Sequence, residues 1–338
     1  MRPLLLLGLT PLLAACTPSL QGQPAPDVVA QLPTPADSAH VRVVVMGDQG
    51  KGGAVQKQVA QAMQEVCAAQ GCHLGVALGD NFYPAGPKQA SSPLFQKLFA
   101  DLYGPLKIPF LVIAGNHDES WVVGGDGADA AGAAAQVAYS KLNPQWVMPA
   151  RTYRAPVGDL VEFFALDTAP LAPYLPPVRP NEFPNGAWDR AQRAWLAGAL
   201  GRSTARWKLV LGHHPLFSNG KHGEAGHYDR FPLAFQRGEA ARQTYLLACG
   251  KADLILSGHV HSLELFAPQT DCTGTWQLIS GAAGEAGGPK FGQRPAVFDA
   301  FGQAGFAWLD ITPQVITVRF YAAKEGRAMQ IFEGQIKK

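Results

Sequence analysis

Little in this sequence stands out by excess. The formal net charge is only +2, so the balance argues neither for a nucleic-acid partner nor for an acidic tail. There is no internal repeat at a fixed period, which excludes a repeat array. The N-terminal apolar stretch Leu4–Leu13 is too short to span a membrane as a helix. Cysteine is scarce, at five residues. Four of them, Cys67, Cys72, Cys249 and Cys272, lack the spacing of a thiolate metal site.

What is present begins with a targeting pattern. Met1-Arg2 carries positive charge, Leu4–Leu13 has the length of a signal core, and Leu13-Ala14-Ala15-Cys16 places small residues before a cysteine. This resembles a bacterial lipoprotein signal at residues 1–15, with membrane attachment through lipid on Cys16. An ordinary signal peptide cut nearby is the alternative. Thr17 in place of Asp would direct a lipoprotein of a two-membrane cell to the outer membrane. Residues 16–38, rich in Pro, Gln and Ala, read as a flexible tether. That leaves 39–338 as the folded region. In an oxidising compartment the four remaining cysteines suggest two disulfides, with three pairings possible. Local pairing, Cys67–Cys72 and Cys249–Cys272, is preferred.

Along the folded region, Val41–Met46, Leu74–Leu78 and Phe110–Ala114 read as strands. Ala54–Ala69 and Pro93–Tyr103 read as the helices between them. This βαβαβ order implies a parallel sheet. Val161–Leu166, Leu209–Leu211 and Leu254–Leu256 are further strands. Helices are expected at Trp188–Leu200 and near Gly238–Cys249. From Leu263 onward strands follow one another without helices, which suggests an antiparallel sheet packed on the first. Val122–Ala135 is nearly all Gly, Ala and Asp, lacks core periodicity, and reads as a mobile insertion, either lid or slack.

Five apolar runs end in glycine followed by Asp, Asn or His. They lead to Gly47–Gly50, Gly79–Tyr83, Gly115–Asp118, Gly212–Pro215 and Gly258–His261. Continuous apolar runs mark strands buried on both faces, and ligands of α/β sheets gather at the strands' carboxyl ends. Asp48, Asp80, Tyr83, Asn116, His213, His259 and His261 would then line one rim. So many oxygen and imidazole donors exceed the needs of one ion and read as a two-metal site.

The five motifs, in this order and with Tyr83, resemble the metallophosphoesterases. The tyrosine narrows the resemblance to the purple acid phosphatases, closest to the small tartrate-resistant type. Ala135–Leu142, Trp146 to Arg154, and Ala165–Thr168 share it, and it runs from about Val41 to Phe332. It implies an αββα sandwich, in which two packed mixed β-sheets are flanked by helices. It also implies two ligand sets: Asp48, Asp80, Tyr83 and His261 on one metal, and Asp80, Asn116, His213 and His259 on the other. The pair would be Fe(III) with divalent Fe, Zn or Mn, because a phenolate is a hard anionic donor that suits ferric iron. Small phosphorylated substrates follow, with a metal-bound hydroxide attacking phosphorus in line. His117 would contact the phosphate or leaving oxygen, Asp118 could orient it, and His222 would lie near the leaving group. Lys221 departs from the mammalian pattern, which places a glutamate before that histidine. This leaves the proton donor open, and the lysine could bind substrate anions instead. Asp167-Thr168 reads as scaffold, and His214 as a neighbour of the centre without a role of its own. Two rival functions remain: a phosphodiesterase on the same fold, and a non-hydrolytic iron-binding or redox lipoprotein.

Overall fold

The structure is a computed structural model that describes residues 24–33, 35, 39–230 and 233–338. The signal segment and Cys16 lie outside these residues. Among the described residues, no helix is long and apolar enough to cross a membrane.

The chain starts in one sheet, crosses to a second, and returns to the first. Strands β1 (Val41–Met46), β2 (Leu74–Ala77), β3 (Phe110–Val112) and β4 (Trp146–Val147) pair in parallel, side by side. The second sheet takes β5 (Tyr153–Val157), β6 (Val161–Ala165), β7 (Trp207–Leu211), β8 (Leu254–Ser257), β9 (Leu263–Phe266), β10 (Trp276–Ser280) and β11 (Phe298–Ala300). Its order is β11-β9-β10-β8-β7-β6-β5. Then β12 (Gly305–Ile311), β13 (Val315–Lys324) and β14 (Arg327–Lys337) rejoin the first sheet beside β1.

The expected separate antiparallel sheet after Leu263 does not form. β9 adds antiparallel to β10, and β11 antiparallel to β9, in the second sheet, while β12 pairs antiparallel with β1 in the first, with Val43 opposite Leu309. The single rim expected for the five motif strands is likewise shared by two sheets. β1, β2 and β3 lie in one, and β7 and β8 in the other.

The sheets pack face to face. Val43, Val45 and Val76 from the first meet Leu209, Leu211 and Leu256 from the second in one core. Side chains alternate along a strand, so Val210 and Ile255 point the other way. There they meet Trp195, Leu196 and Ala199 of helix Ala187–Arg202 and Ala241 and Tyr245 of helix Glu239–Leu246. Burial on both faces is why these strands lack polar alternation.

Helix Ala54–Gln70 covers the outer face of the first sheet with Val59, Ala62, Met63 and Val66. It stops at Gly71, whose φ of 79° is left-handed. The Cys67–Cys72 disulfide closes that end, and Cys249–Cys272 ties the end of the second sheet's helix layer to the loop before β10. Both are the local pairings. The expected helix Pro93–Tyr103 is helical throughout but carries a π-type stretch at Gln96–Ala100 between short α segments.

Two expectations of looseness are corrected. Ala131–Tyr139 is helical and begins within the supposed mobile insertion, with Gly132, Ala133, Ala135 and Gln136 buried. Small residues let this helix sit against the loop at Asp118, where a Cβ on Gly132 would lie 1.8 Å from the Asp118 carbonyl oxygen. Residues 24–33, read as part of the tether, lie on the domain. Val29 bridges to Arg154, Ala30 is buried, and Asp27 accepts from Arg154 and from Trp195.

Candidate metal centre

At Gly79, Gly115 and Gly258 the glycine that closes a motif strand leaves room for a ligand carried on another strand. A Cβ on Gly115 would lie 2.3 Å from Asp80 Oδ1, and one on Gly258 would lie 2.6 Å from Asp48 Oδ2. The ligands themselves turn sharply. Asp48, Asp80 and His259 have φ of 60°, 52° and 66°, a costly region for residues with side chains that clusters at functional sites.

The seven donors form two nests that share Asp80. In the first, the Tyr83 hydroxyl lies 2.9 Å from Asp80 Oδ2, 3.2 Å from Asp48 Oδ1 and 3.4 Å from His261 Nε2. In the second, Asn116 Oδ1 lies 2.9 Å from His213 Nε2 and 3.0 Å from His259 Nδ1, and His213 Nε2 lies 3.4 Å from Asp80 Oδ1. Backbone donors fix the carboxylates. The His259 N–H donates to Asp48 Oδ2, and the His117 N–H donates to Asp80 Oδ1, each at 2.8 Å.

The donor chemistry suits cations. His213 Nδ1 faces the Leu78 carbonyl at 2.8 Å, so it carries the proton of a neutral ring and leaves Nε2 as a lone pair. Asn116 Nδ2 donates to the Gly125 carbonyl, which turns Oδ1 inward. Nε2 then faces only the acceptors Asn116 Oδ1 and Asp80 Oδ1. The first nest offers one phenolic proton to three acceptors. Only protons or metal ions relieve such crowding. Burial alone would lower the basicity of His213, yet Asp80 and Asp48 outweigh it and hold this ring up to about 9. Burial, Asp80 and Asp48 drive the Tyr83 phenol well above its ordinary value. A cation in each nest would reverse both demands, stabilising a phenolate at Tyr83 and a free Nε2 at His213.

Beyond the nests lies a cavity of about 560 Å³, lined by Lys51, His117, Tyr174, Lys221, His222 and the ligands among others. His117 is half-buried. Its ring sits 4.2 Å from that of Tyr83, and its Nδ1 meets the Pro84 carbonyl. Asp118 does not orient it, which corrects that reading. Asp118 is fully buried and accepts from the backbone N–H groups of Gly115, Asn81 and Phe82 and from the Asn81 side chain. It braces the loops. Burial and Asp80 push its carboxyl up to about 7, against the pull of the Gly115 and Asn81 N–H groups.

His222 lies 5.0 Å, ring to ring, from His259, and its Nδ1 meets Asp229 Oδ1 at 2.7 Å. Burial, with Lys221 and His261 nearby, pulls its pKa down to about 3, while burial pushes Asp229 up to about 7. His214 packs between His213 and Tyr228 and meets Thr168 at 2.9 Å. Asp167 pairs with Arg151, which also pairs with Glu182 and Glu119, so that segment is scaffold.

Several residues escaped the sequence reading. Lys51 Nζ sits 4.2 Å above the Tyr83 ring and pairs with Glu285 at 2.6 Å, and Glu285 reaches His261 Nδ1 at 3.6 Å. Lys51 directly follows the first motif, which is a usable signal. Glu285 and Asp229 belong to no motif and offer none. Asp126 was passed over inside the Gly/Ala run.

Two face-to-face sheets with a carboxylate-bridged pair of ligand nests at their shared rim define a dinuclear metal hydrolase. Residues 41–263 match the calcineurin-like phosphoesterase family. Tartrate-resistant acid phosphatase type 5 of Oryctolagus cuniculus is 30% identical over 292 residues, covering 79% of each chain. Two solved structures share the fold. Plasmodium GAP50, the anchor in the inner membrane complex, has a TM-score of 0.67 at 20% identity, over 88% of this chain and 89% of that one. Purple acid phosphatase PPD1 of Lupinus luteus has a TM-score of 0.62 at 17% identity, over 91% of this chain and 56% of that one. The chain belongs to the calcineurin-like metallophosphoesterases and, within them, to the purple acid phosphatases.

Proposed function

We propose that the chain is an acid phosphatase that hydrolyses phosphate monoesters at a centre pairing Fe(III) with a divalent Fe, Zn or Mn ion. The observation that carries this reading is the Tyr83 oxygen, held within 3.5 Å of Asp48, Asp80 and His261. A phenolate there is a hard ligand suited to ferric iron. When bound, the metal pair supplies Lewis acidity toward phosphoryl oxygens and acidifies water well below its bulk pKa. The chain's residues do the rest. Asp80, fixed by the His117 N–H, gives one oxygen to each nest. Asn116 and His213 hold their donor atoms inward through bonds to Gly125 and Leu78. The His117 and His222 rings border the cavity where the ester oxygen would depart, as acid–base chemistry there requires. Lys221, exposed at the same cavity, adds positive charge for an anionic substrate.

The test compares rates on a phosphate monoester and a diester in protein loaded with iron and zinc. The reading expects the monoester to be preferred by at least about 10-fold in kcat/KM, a difference of about 1.4 kcal/mol in transition-state binding. A preference for the diester would replace it with a phosphodiesterase, and no hydrolysis of either would favour an iron-binding role.

A further inference from the structure

We propose that Asp229 is a positioning residue for this reaction: its carboxylate holds the His222 ring so that Nε2 faces the cavity as proton donor to the departing ester oxygen. The inference rests on the monoesterase reading above.

The geometry is built rather than incidental. Asp229 Oδ1 meets His222 Nδ1 at 2.7 Å, and the Asp229 N–H returns to the His222 carbonyl at 3.0 Å. The backbone is left-handed at Asp229 and Arg230, with φ of 48° and 56°. Such conformations persist where the surroundings impose them. Here Tyr228, fully buried, anchors the turn by donating its hydroxyl to the Pro215 carbonyl at 2.6 Å, in the loop that follows the ligand His213. With Nδ1 taken up by Asp229, Nε2 is the nitrogen left for the cavity that His222 lines.

The carboxylate also lies near the candidate ligand His259. Asp229 Oδ2 and His259 Nε2 are both buried without a protein hydrogen-bond partner. Each of His222, Asp229 and His259 offers a ligating atom, and these lie within 4.8 Å of one another. An imidazole that meets a carboxylate at one nitrogen is fixed in orientation and tautomer at the other.

In the step, the oxygen of water bonds to phosphorus. The ester P–O bond breaks with its electron pair on the leaving oxygen, and Nε2 gives that oxygen its proton. An alcohol and phosphate result. The 2.7 Å hydrogen bond holds one proton between Asp229 Oδ1 and Nδ1, the pair carrying it as a unit, so the ring keeps that proton at Nδ1 when Nε2 gives up its own; Nε2 then recovers a proton from the attacking water.

The experiment uses the metal-loaded full chain with 4-nitrophenyl phosphate, whose leaving group departs without a proton, and an alkyl phosphate, whose leaving group needs one. Asp229→Ala should lose about 10–100-fold in kcat on the alkyl ester and under about threefold on the nitrophenyl ester. Asp229→Asn keeps a hydrogen-bonding group and tolerates the left-handed backbone, so it should recover alkyl-ester turnover to within about fivefold of the parent. In a His222→Ala background, Asp229→Ala should cost less than about twofold, because the two act as one unit. Equal losses on both esters, loss of metal, additive losses, or an Asn variant no better than Ala would each overturn the proposal. A parent with no monoesterase activity would instead overturn the functional reading beneath it.

Discussion

His117 separates two roles that sequence alone merges. Its backbone N–H fixes the bridging Asp80, while its ring stands at the cavity against Tyr83. Replacing the side chain leaves the N–H in place. His117→Ala should therefore keep both metals and lower kcat by about 10²–10⁴-fold, the usual range for acid–base help. Metal content by elemental analysis, taken beside kcat, checks this. Loss of metal would make the ring a support of the centre, and near-normal turnover would remove it from the chemistry. Asp118 shows the reverse case. It sits next to His117 in sequence, but its carboxylate is spent on loop N–H groups. Adjacency in a motif therefore does not assign a role.

At the scale of elements, the loop after Asp118 is a fixed wall of the cavity. Asp126 accepts from the N–H groups of Trp121, Val122, Val123 and Ala128. A Cβ on Gly125 would meet His117 Nε2 at 2.7 Å, and the Gly125 carbonyl holds Asn116. Tyr174 joins the same wall through its N–H to the Asp126 carbonyl. Composition pointed to a mobile insertion, lid or slack, because a small-residue run has no hydrophobic period. The order comes instead from one buried carboxylate and from close backbone approach. Asp126→Ala should loosen the loop, costing about 1–3 kcal/mol in stability. It should also lower kcat/KM by about 10–100-fold through displacement of His117 and Asn116. Thermal unfolding, limited proteolysis near residues 121–125 and steady-state kinetics check it; unchanged kinetics would mean that the wall does not position the site.

For the molecule as a whole, the centre spans two sheets. Asp48, Asp80, Tyr83 and Asn116 follow strands of the first, and His213, His259 and His261 follow strands of the second. The seven candidate donors could be picked out because their motifs follow strands buried on both faces and then a glycine, a local pattern. Sheet membership was not legible, because it depends on which strand meets which. The pairing of Val43 with Leu309 joins residues far apart in sequence that no period relates. The same holds for Asp27, whose partners Arg154 and Trp195 come from distant elements and turn part of a supposed tether into packed chain. Asp229 reaches His222 across a strained turn, and nothing in the composition announces it. The central claim is that both sheets together hold a ferric ion bound by Tyr83 beside a divalent partner. The most direct measurement is the visible spectrum of iron- and zinc-loaded protein, parent and Tyr83→Phe, with metal content and phosphatase rate on the same samples. The account predicts a purple to pink parent whose phenolate-to-iron charge-transfer band disappears in Tyr83→Phe while metal remains bound through Asp48, Asp80 and His261. A colourless parent, holding two zinc ions and equally active with Phe at position 83, would contradict it.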